Sequence, residues 1–574
     1  MFDATLIVLF AIAYIGVLFA IAWAGDIWMK RRPSAGSGRP LIYALSIGVY
    51  CSTWTFFGSV GRASSLGWDF LAVYIGPALV FLFGWPLLVR IVRLAKAQNI
   101  TSISDFLAAR YGKSPMVAGI VTVVALIGLL PYLALQLKAV VLATEALFGG
   151  TPLFMVELPS LGIVETAFVA TVVMADFAVL FGTRHVDATE HQDGLMVAIA
   201  AESLVKLVAF LSVGVFVVFY AFGDAVSFYK AVVAQKDIVS RFTQVSGAST
   251  WLVVTLLSAI CIVVLPRQFH VTVVENRSED EIKRARWLLP LYLLLINLFV
   301  VPIAAAGLLL IRPEIANPDV FVLSVPMYLD ADFITVLAYI GGLSAATAMI
   351  VVESIALAIM VCNGVVVPLL LRYRVRQSEE LNNISGLLLT IRRLAICVLL
   401  ALCYVVYLLL GDAQGLAAIG LISFAAIAQL APAFFGGLYW QHGNARGAIA
   451  GILSGISVWA YTLLMPWVIK AGLLPESILV DGPFGLAILK PQALFYVETD
   501  PLTHGVLWSF AANIIAYVAF SRMRAPSPIE RIQANVFVKG EATGASQQPS
   551  FRFWRSSVTV GDLQSTVARY LGPG

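Results

Sequence analysis

The chain has 574 residues, of which 60% are hydrophobic and 12% are charged, and its formal net charge is +4. Soluble domains carry about 25% charged residues, so this composition excludes a soluble globular protein. Repeated apolar stretches of about 20 residues are typical of transmembrane helices. The sequence therefore predicts an all-α, multi-pass protein of a lipid bilayer, which we place in the bacterial inner (plasma) membrane.

Hydropathy predicts thirteen membrane-spanning helices in chain order. Their approximate ranges are 5–24, 41–60, 68–92, 116–146, 163–183, 195–222, 250–273, 287–311, 334–367, 388–410, 414–438, 446–468 and 503–522.

The loops between these helices alternate in charge. Arginine and lysine cluster in 30–39, 90–113, 277–286, 372–393 and 522–531, whereas 147–162 and 313–332 are acidic. The positive-inside rule places the basic loops and the C-terminal tail in the cytoplasm. Thirteen crossings then place the N-terminus outside.

Chemistry other than transport has little support in the sequence. The chain has neither a Gly-x-Ser-x-Gly elbow nor a His-Glu-x-x-His helix, so we expect no enzymatic activity. The five cysteines lie in apolar segments without paired spacing, which predicts neither a disulfide framework nor a metal site. We expect no cofactor and no nucleic-acid partner.

Four segments resemble the sodium:solute symporter family, which includes proline permease. "AQLAPAFFGGLYWQHGNARGAIAGILSG" (428–455) is similar to the family's Gln-x-x-Pro helix and the helix after it. "STWTFFGSVG" (52–61), "RQFHVTVVENRS" (267–278) and "SAATAMIVV" (344–352) resemble the first, sixth and eighth core helices. The resemblance implies a symporter-like domain over 1–522, with a LeuT-type core of two inverted five-helix repeats at about 41–222 and 250–438.

A narrower resemblance concerns "SLVKLVAFLSVGVFV" (203–217) and "LPRQF" (265–269). Both look like the transporter-shaped input domain of CbrA-type sensor histidine kinases. Residues 523–556 are polar and predict a cytoplasmic linker. Residues 557–574 predict a short amphipathic helix, similar to the start of a further signalling domain in that group.

Two functions therefore remain open at this point. The first is a secondary active transporter, a symporter that moves a small organic solute such as an amino acid, driven by protons or sodium. The alternative is a sensory input domain of a membrane histidine kinase, which contacts a cytoplasmic signalling partner through its tail. In the second case the kinase half would follow residue 574.

The resemblance also implies where a coupling cation binds. Its ligands would be the carbonyls of Gly48 and Cys51 and hydroxyls at positions 346 and 347. Position 346 is Ala346, which offers no oxygen, so Thr347 and the nearby Ser344 are the remaining hydroxyl candidates. Proline permease has an acidic residue where this chain has Tyr50, and both departures argue against a sodium site.

A charged pair in the fifth core helix suggests a substitute for the cation. Glu202 and Lys206 are one helical turn apart within an apolar run. We expect the Lys206 ammonium within hydrogen-bonding reach of the Gly48, Cys51 and Thr347 oxygens, with Glu202 paired to it. Alternatives are a static Glu–Lys pair and a lysine that extends to the membrane surface.

The solute is expected beside breaks in the first and sixth core helices. "YCSTWT" (50–55) is unusually polar for a membrane helix, and Pro266 lacks a backbone donor. The alternative is that the serine and threonine pack against a neighbouring helix. The predicted solute contacts are Ser52, Thr53, Trp54, Gln268, His270 and Gln429.

Overall fold

The computed structural model is almost entirely helical. It describes residues 4–30, 39–147, 156–158, 162–164, 166–182, 192–243, 246–311, 316–374, 384–410, 415–470 and 472–539.

The described residues form α-helices α1–α26 and a small antiparallel hairpin, β1 (Val156–Leu158) and β2 (Gly162–Val164), in a predicted outer loop. The helices are α1 Ala4–Lys30, α2 Pro40–Ile47, α3 Ser59–Leu66, α4 Ala72–Phe83, α5 Trp85–Ala97, α6 Ile103–Arg110, α7 Pro115–Leu147, α8 Thr166–Gly182, α9 Asp193–Val215, α10 Ala225–Val233, α11 Lys236–Thr243, α12 Ala248–Val264 and α13 Pro266–Phe269. They continue with α14 Glu279–Asn297, α15 Val300–Leu310, α16 Phe321–Tyr328, α17 Asp332–Val361, α18 Val367–Arg374, α19 Ile384–Leu410, α20 Leu416–Ile427, α21 Ala431–Tyr439, α22 Ala445–Trp459, α23 Met465–Lys470, α24 Ser477–Val480, α25 Pro501–Arg522 and α26 Pro528–Lys539.

The helices are long and apolar enough to make this a multi-pass membrane protein. Among the described residues, 10 helices could cross a bilayer, or 11 if the bent pair Lys236–Thr243 and Ala248–Val264 is one span. Two shorter apolar helices, Pro40–Tyr50 and Thr166–Leu180, coincide with two further predicted spans. The all-α fold class is confirmed, while the count of thirteen spans and their orientation stay predictions.

Both predicted helix breaks are present. α2 ends at Ile47 and is followed by a 3-10 turn, after which Cys51 is extended (φ −78°, ψ 90°). The chain becomes helical again in a π-helical turn, Trp54–Gly58, that leads into α3. Leu265 is also extended (φ −60°, ψ 131°), and Pro266 begins α13, where its missing N–H costs no hydrogen bond. The two breaks leave backbone carbonyls outside the helical pattern in the middle of the protein.

Close packing brings α9 against α17. A Cβ on Gly341 would lie 2.5 Å from the Cβ of Ala209, so a side chain there would force the helices apart. Small residues at such a contact are the usual way to pack membrane helices tightly. This approach allows the side chains of Glu202 and Lys206 to reach groups on two other elements.

The predicted linker requires a correction. Residues 528–539 form α26, which is held to the membrane domain. Phe537 is fully buried with its ring 5.2 Å from that of Phe106, and Arg90 donates to its carbonyl at 2.6 Å. Burial of this aromatic ring orders a segment whose polar composition suggested a linker. The predicted amphipathic helix at 557–574 lies outside the described residues.

Candidate functional site

Lys206 contacts the first helix break. Its side chain is fully buried, and Nζ donates to the carbonyl oxygen of Cys51 at 2.8 Å. The extended conformation of Cys51 makes this carbonyl available, because it lies outside the helical hydrogen-bond pattern. The predicted contact with Cys51 is therefore present, and Lys206 does not extend to the membrane surface. No hydrogen bond from Lys206 to Gly48 is present among the described residues, and the Gly48 carbonyl accepts the Cys51 amide at 3.0 Å.

Glu202 faces the eighth core helix instead of Lys206. Its Oε1 accepts the Thr347 hydroxyl at 2.5 Å and the Tyr14 hydroxyl at 3.3 Å. Ser344 donates to the main-chain carbonyl of Glu202 at 2.8 Å. Glu202 and Lys206 attract each other as neighbouring buried charges, but none of the ion pairs among the described residues joins the two side chains directly. No hydrogen bond joins Lys206 to Thr347 among the described residues, and the Thr347 hydroxyl donates to Glu202.

The two charges of α9 thus occupy both sides of the expected cation position. The ammonium lies against the Cys51 carbonyl of the first core helix, and the carboxylate lies against the Thr347 hydroxyl of the eighth. A metal ion would compete with the ammonium for the same carbonyl and would be repelled by its charge. Ala346 is buried and adds no side-chain oxygen. These residues fit a protonated amine better than sodium.

The polar residues of the first break have protein partners. Ser52 Oγ lies 2.8 Å from the Tyr132 hydroxyl. The Thr53 hydroxyl and amide donate to Gln136 Oε1 at 2.8 and 3.2 Å. Trp54 is buried, and its indole N–H donates to the Ala417 carbonyl at 3.0 Å, which ties the first break to α20. These contacts favour a structural role for Thr53 and Trp54.

The other three predicted solute contacts, Gln268, His270 and Gln429, have different surroundings in the structure. Gln268 is fully buried directly after the second break, and neither atom of its amide group has a hydrogen-bond partner. His270 Nε2 lies 3.8 Å from Glu275 Oε1. Gln429 donates to Ser509 at 2.9 Å and accepts from Asn513 at 3.0 Å, both on α25. Because its amide is engaged with that outer helix, we leave Gln429 out of the site.

A buried ion pair was missed as a site by the sequence reasoning. Arg267 Nη1 donates to Glu353 Oε2 at 2.7 Å, and both side chains are fully buried. The guanidinium also lies over the Tyr132 ring, 4.7 Å from its centroid. Charged residues inside membrane segments are the signal that could have identified both members. Their pairing depends on α13 meeting α17, which the sequence does not reveal.

Charged side chains close one end of the bundle, beneath α2. Arg39 is buried and forms ion pairs with Asp193 and Glu275, while its amide donates to Glu281 at 2.8 Å. Asp193 also pairs with Arg277. His270 is near Glu275 in this group. The positive-inside prediction places this cluster on the cytoplasmic side.

The opposite end is closed by Asp319, which precedes α16. Its Oδ2 accepts the Leu416 amide at 3.0 Å, and the residue packs so closely on Gly61 that a Cβ there would overlap it. Burial raises the pKa of the Asp319 carboxyl to about 6, partly offset by the Leu416 amide and by Lys138. Asp319 therefore joins α3 to the start of α20.

Comparisons with known proteins agree with this architecture. No family model matches the chain. An uncharacterised symporter of Bacillus subtilis, YhjB, is 28% identical over 152 residues, which cover 26% of this chain. The match spans 31% of that relative's length.

A solved structure is similar over nearly the whole chain. The substrate-bound, outward-open form of a Na+-coupled sialic acid symporter superposes with a TM-score of 0.60 at 17% identity, covering 90% of this chain and 98% of that one. The nucleobase-cation-symport-1 family transporter Mhp1 gives a TM-score of only 0.42 at 15% identity, covering 88% and 99%. The first of these two superpositions shows that the chain shares the fold of that symporter.

Proposed function

We propose that this protein is a secondary active transporter of the sodium:solute symporter family that moves a small organic solute. The observation that carries the proposal is the contact between Lys206 and Cys51 at the break of the first core helix. A transporter needs a charged group that couples to movement of a broken helix, and here a buried ammonium holds the backbone of that break. The symporter fold and the local similarity to a symporter support the same function.

In this mechanism Lys206 is the resident cation. Its positive charge stabilises the Cys51 carbonyl in an interior with little water. Loss of a proton from the ammonium weakens this contact and releases the break, while return of the proton restores it. Glu202 lies one turn away and accepts a hydrogen bond from the Thr347 hydroxyl on α17, so the two charged residues of α9 contact both core elements. We therefore infer coupling to protons rather than to sodium.

Alternating access follows from the two closed ends. The Arg39 cluster must open for release on the side of α2, and the contact between Asp319 and Leu416 must open on the other side. In symporters of this architecture, one group of helices rocks against another around a central site. The helix breaks allow α2 and α3 to move separately, since no continuous helical hydrogen bonding joins them.

The test is solute uptake by the purified chain in proteoliposomes. Each proteinogenic amino acid is supplied in labelled form, under an imposed pH gradient, an imposed sodium gradient, or neither. We expect uptake driven by the pH gradient without sodium, and its loss in Lys206→Met. Uptake that requires sodium and persists in Lys206→Met would contradict the role of Lys206. Uptake of none of these solutes under either gradient would contradict amino-acid transport.

A further inference from the structure

Arg267 lies where four core elements meet. It follows the second helix break, pairs with Glu353 on α17 and lies over the ring of Tyr132 on α7. The Tyr132 hydroxyl is in turn 2.8 Å from Ser52 at the first break. In transporters with broken helices, the solute binds beside such breaks. The guanidinium therefore belongs to the region in which the proposed function requires a solute.

One edge of this guanidinium is unpartnered. Nη1 donates to Glu353, but Nε and Nη2 have no hydrogen-bond partner although the side chain is fully buried. Nε and Nη2 carry two nearly parallel N–H bonds on the same side of the planar group. That edge is the fork that binds a carboxylate through two hydrogen bonds.

Arg110 provides a comparison within the same protein. It is equally buried, and its Nε, Nη1 and Nη2 donate to the carbonyls of Gly437, Gly443 and Trp440. Each of the three nitrogens of Arg110 thus has a backbone acceptor, whereas two nitrogens of Arg267 have none. Buried donors are rarely left without partners, because a donor removed from water without an acceptor destabilises the fold. The unpartnered edge of Arg267 consequently calls for a ligand or ordered water.

The neighbours of Arg267 show the same pattern. Gln268 has an unpartnered amide nitrogen and an unpartnered amide oxygen, and Glu353 has an unpartnered Oε1. Together with the two nitrogens of Arg267, five buried side-chain atoms on three residues lack hydrogen-bond partners. Two of these atoms are donors of the positively charged Arg267, and one is an acceptor of the negatively charged Glu353. The unpartnered edge of Arg267 and the unpartnered Oε1 of its ion-pair partner Glu353 are complementary to a molecule that carries both charges.

We propose that the solute carries a carboxylate that binds the Nε–Nη2 edge of Arg267, and an ammonium group that is attracted to Glu353 Oε1. This inference rests on the proposed transport function and specifies the class of its solute as a zwitterion. The Arg267–Glu353 pair is neutral overall, so a bound zwitterion keeps the buried site neutral, whereas a solute with only a negative charge adds an unbalanced charge.

Binding to the purified full chain in detergent tests the inference without requiring transport. The first probes are the proteinogenic amino acids. For each amino acid that binds, two analogues are then tested: its carboxamide and the carboxylic acid that lacks the amino group. We expect the amino acid to raise the unfolding temperature and both analogues to bind about tenfold to a hundredfold more weakly. In Glu353→Gln the difference between the amino acid and the deaminated acid should shrink.

Arg267→Lys keeps the charge but removes the fork, and Arg110→Lys is the matched control. We expect Arg267→Lys to weaken amino-acid binding about tenfold or more, and Arg110→Lys to leave the affinity of the folded protein unchanged. If Arg267→Lys does not fold, the comparison of the amino acid with its two analogues on the wild-type protein still tests whether the site requires a carboxylate and an ammonium group.

Two outcomes would overturn the inference. Equal binding of an amino acid and its carboxamide would show that the fork does not bind a carboxylate, and binding of none of the carboxylate probes would leave water as the partner of Arg267. Carboxylate-dependent binding without uptake in proteoliposomes would contradict only the transport function. Uptake of a carboxamide as efficiently as its amino acid would contradict only the inference about Arg267.

Discussion

The ammonium of Lys206 donates to the main-chain carbonyl of Cys51 at 2.8 Å, although 155 positions separate the two residues in the chain. Both are fully buried, so the contact joins α9 to the break of the first core helix away from water. A charge held in this way can control whether the break stays closed. The first prediction concerns this charge.

Lys206→Met should abolish uptake driven by a pH gradient, because the variant retains the length and apolar stem of the side chain but cannot carry a proton. Lys206→Arg keeps a positive charge that cannot be lost, so we expect solute binding without coupled uptake. Proteoliposome uptake and detergent binding measure the two effects separately. Normal pH-driven uptake by Lys206→Met would exclude Lys206 as the coupling group.

Thr347→Val should alter the coupling of uptake to protons through the bond between Thr347 and Glu202. The substitution preserves the branched shape but removes the hydroxyl that donates to Glu202 at 2.5 Å, leaving a buried carboxylate with a weaker set of donors. We expect the pH at half-maximal uptake to shift while the protein still folds. Ser344→Ala is the control, because Ser344 bonds to the backbone carbonyl of Glu202 and not to its carboxylate. Equal shifts in both variants would contradict a specific role of the Thr347–Glu202 bond.

The raised pKa of Asp319 should make the stability of the protein depend on pH. Its pKa rises from 3.8 to about 6 in the folded protein, so the folded state retains a proton that the unfolded state has lost between these values. Stability contributed by this group is therefore full below about pH 4 and falls as the pH rises through 6, by up to about 3 kcal/mol. Asp319→Asn removes the charge and should unfold at a higher temperature than the wild type above pH 6.

Thermal unfolding across pH measures this difference, which should vanish below about pH 4. Asp332→Asn is the matched control, because Asp332 is exposed at the start of α17, and it should follow the wild type at every pH. A constant difference between Asp319→Asn and the wild type across the whole range would rule out burial of the Asp319 charge as its cause.

Arg39→Ala should open the end of the bundle beneath α2. It leaves Asp193 and Glu275 without this buried cation, and breaking a buried pair costs several kcal/mol. Ser46→Cys on α2 serves as a reporter for thiol labelling, in a chain whose exposed Cys397 is replaced by serine. We expect labelling to accelerate about tenfold or more.

Arg93→Ala is the control for this experiment. Arg93 pairs with Glu279 at 2.5 Å, but the two side chains are 66% and 37% exposed. Exposed pairs contribute about 0–1 kcal/mol, so labelling should change little. If Arg93→Ala accelerated labelling as much as Arg39→Ala, the Arg39 cluster would not be a specific closure.

The orientation of the chain can be tested with single cysteines. Labelling from the cytoplasm should reach residues 372–378 and the exposed residues Asp280, Lys283 and Arg284, and labelling from outside should reach the exposed residues Tyr328, Asp330 and Asp332. The prediction depends on the number of preceding spans, since one span too many or too few inverts every later loop. External labelling of 372–378 would therefore disprove the thirteen-span topology.

The sequence alone determined the membrane fold and the positions of its breaks. Backbone groups in a bilayer must be satisfied within helices, so apolar length predicts each span. Departures from that rule, such as the polar run at 50–55 and Pro266, predict where a helix is interrupted. The charge of Lys206 could be assigned to the first break because a resemblance supplied the neighbouring elements.

Only the tertiary structure decided which partners the buried polar groups take. Spacing placed Glu202 beside Lys206, but the close approach of α9 and α17 at Gly341 gives the carboxylate a hydroxyl on α17. Gln429 likewise turns to α25. Helical spacing specifies which residues share a face, whereas hydrogen bonds depend on the distances and directions that packing of separate helices sets. For that reason the unpartnered edge of Arg267 is visible only in the folded protein.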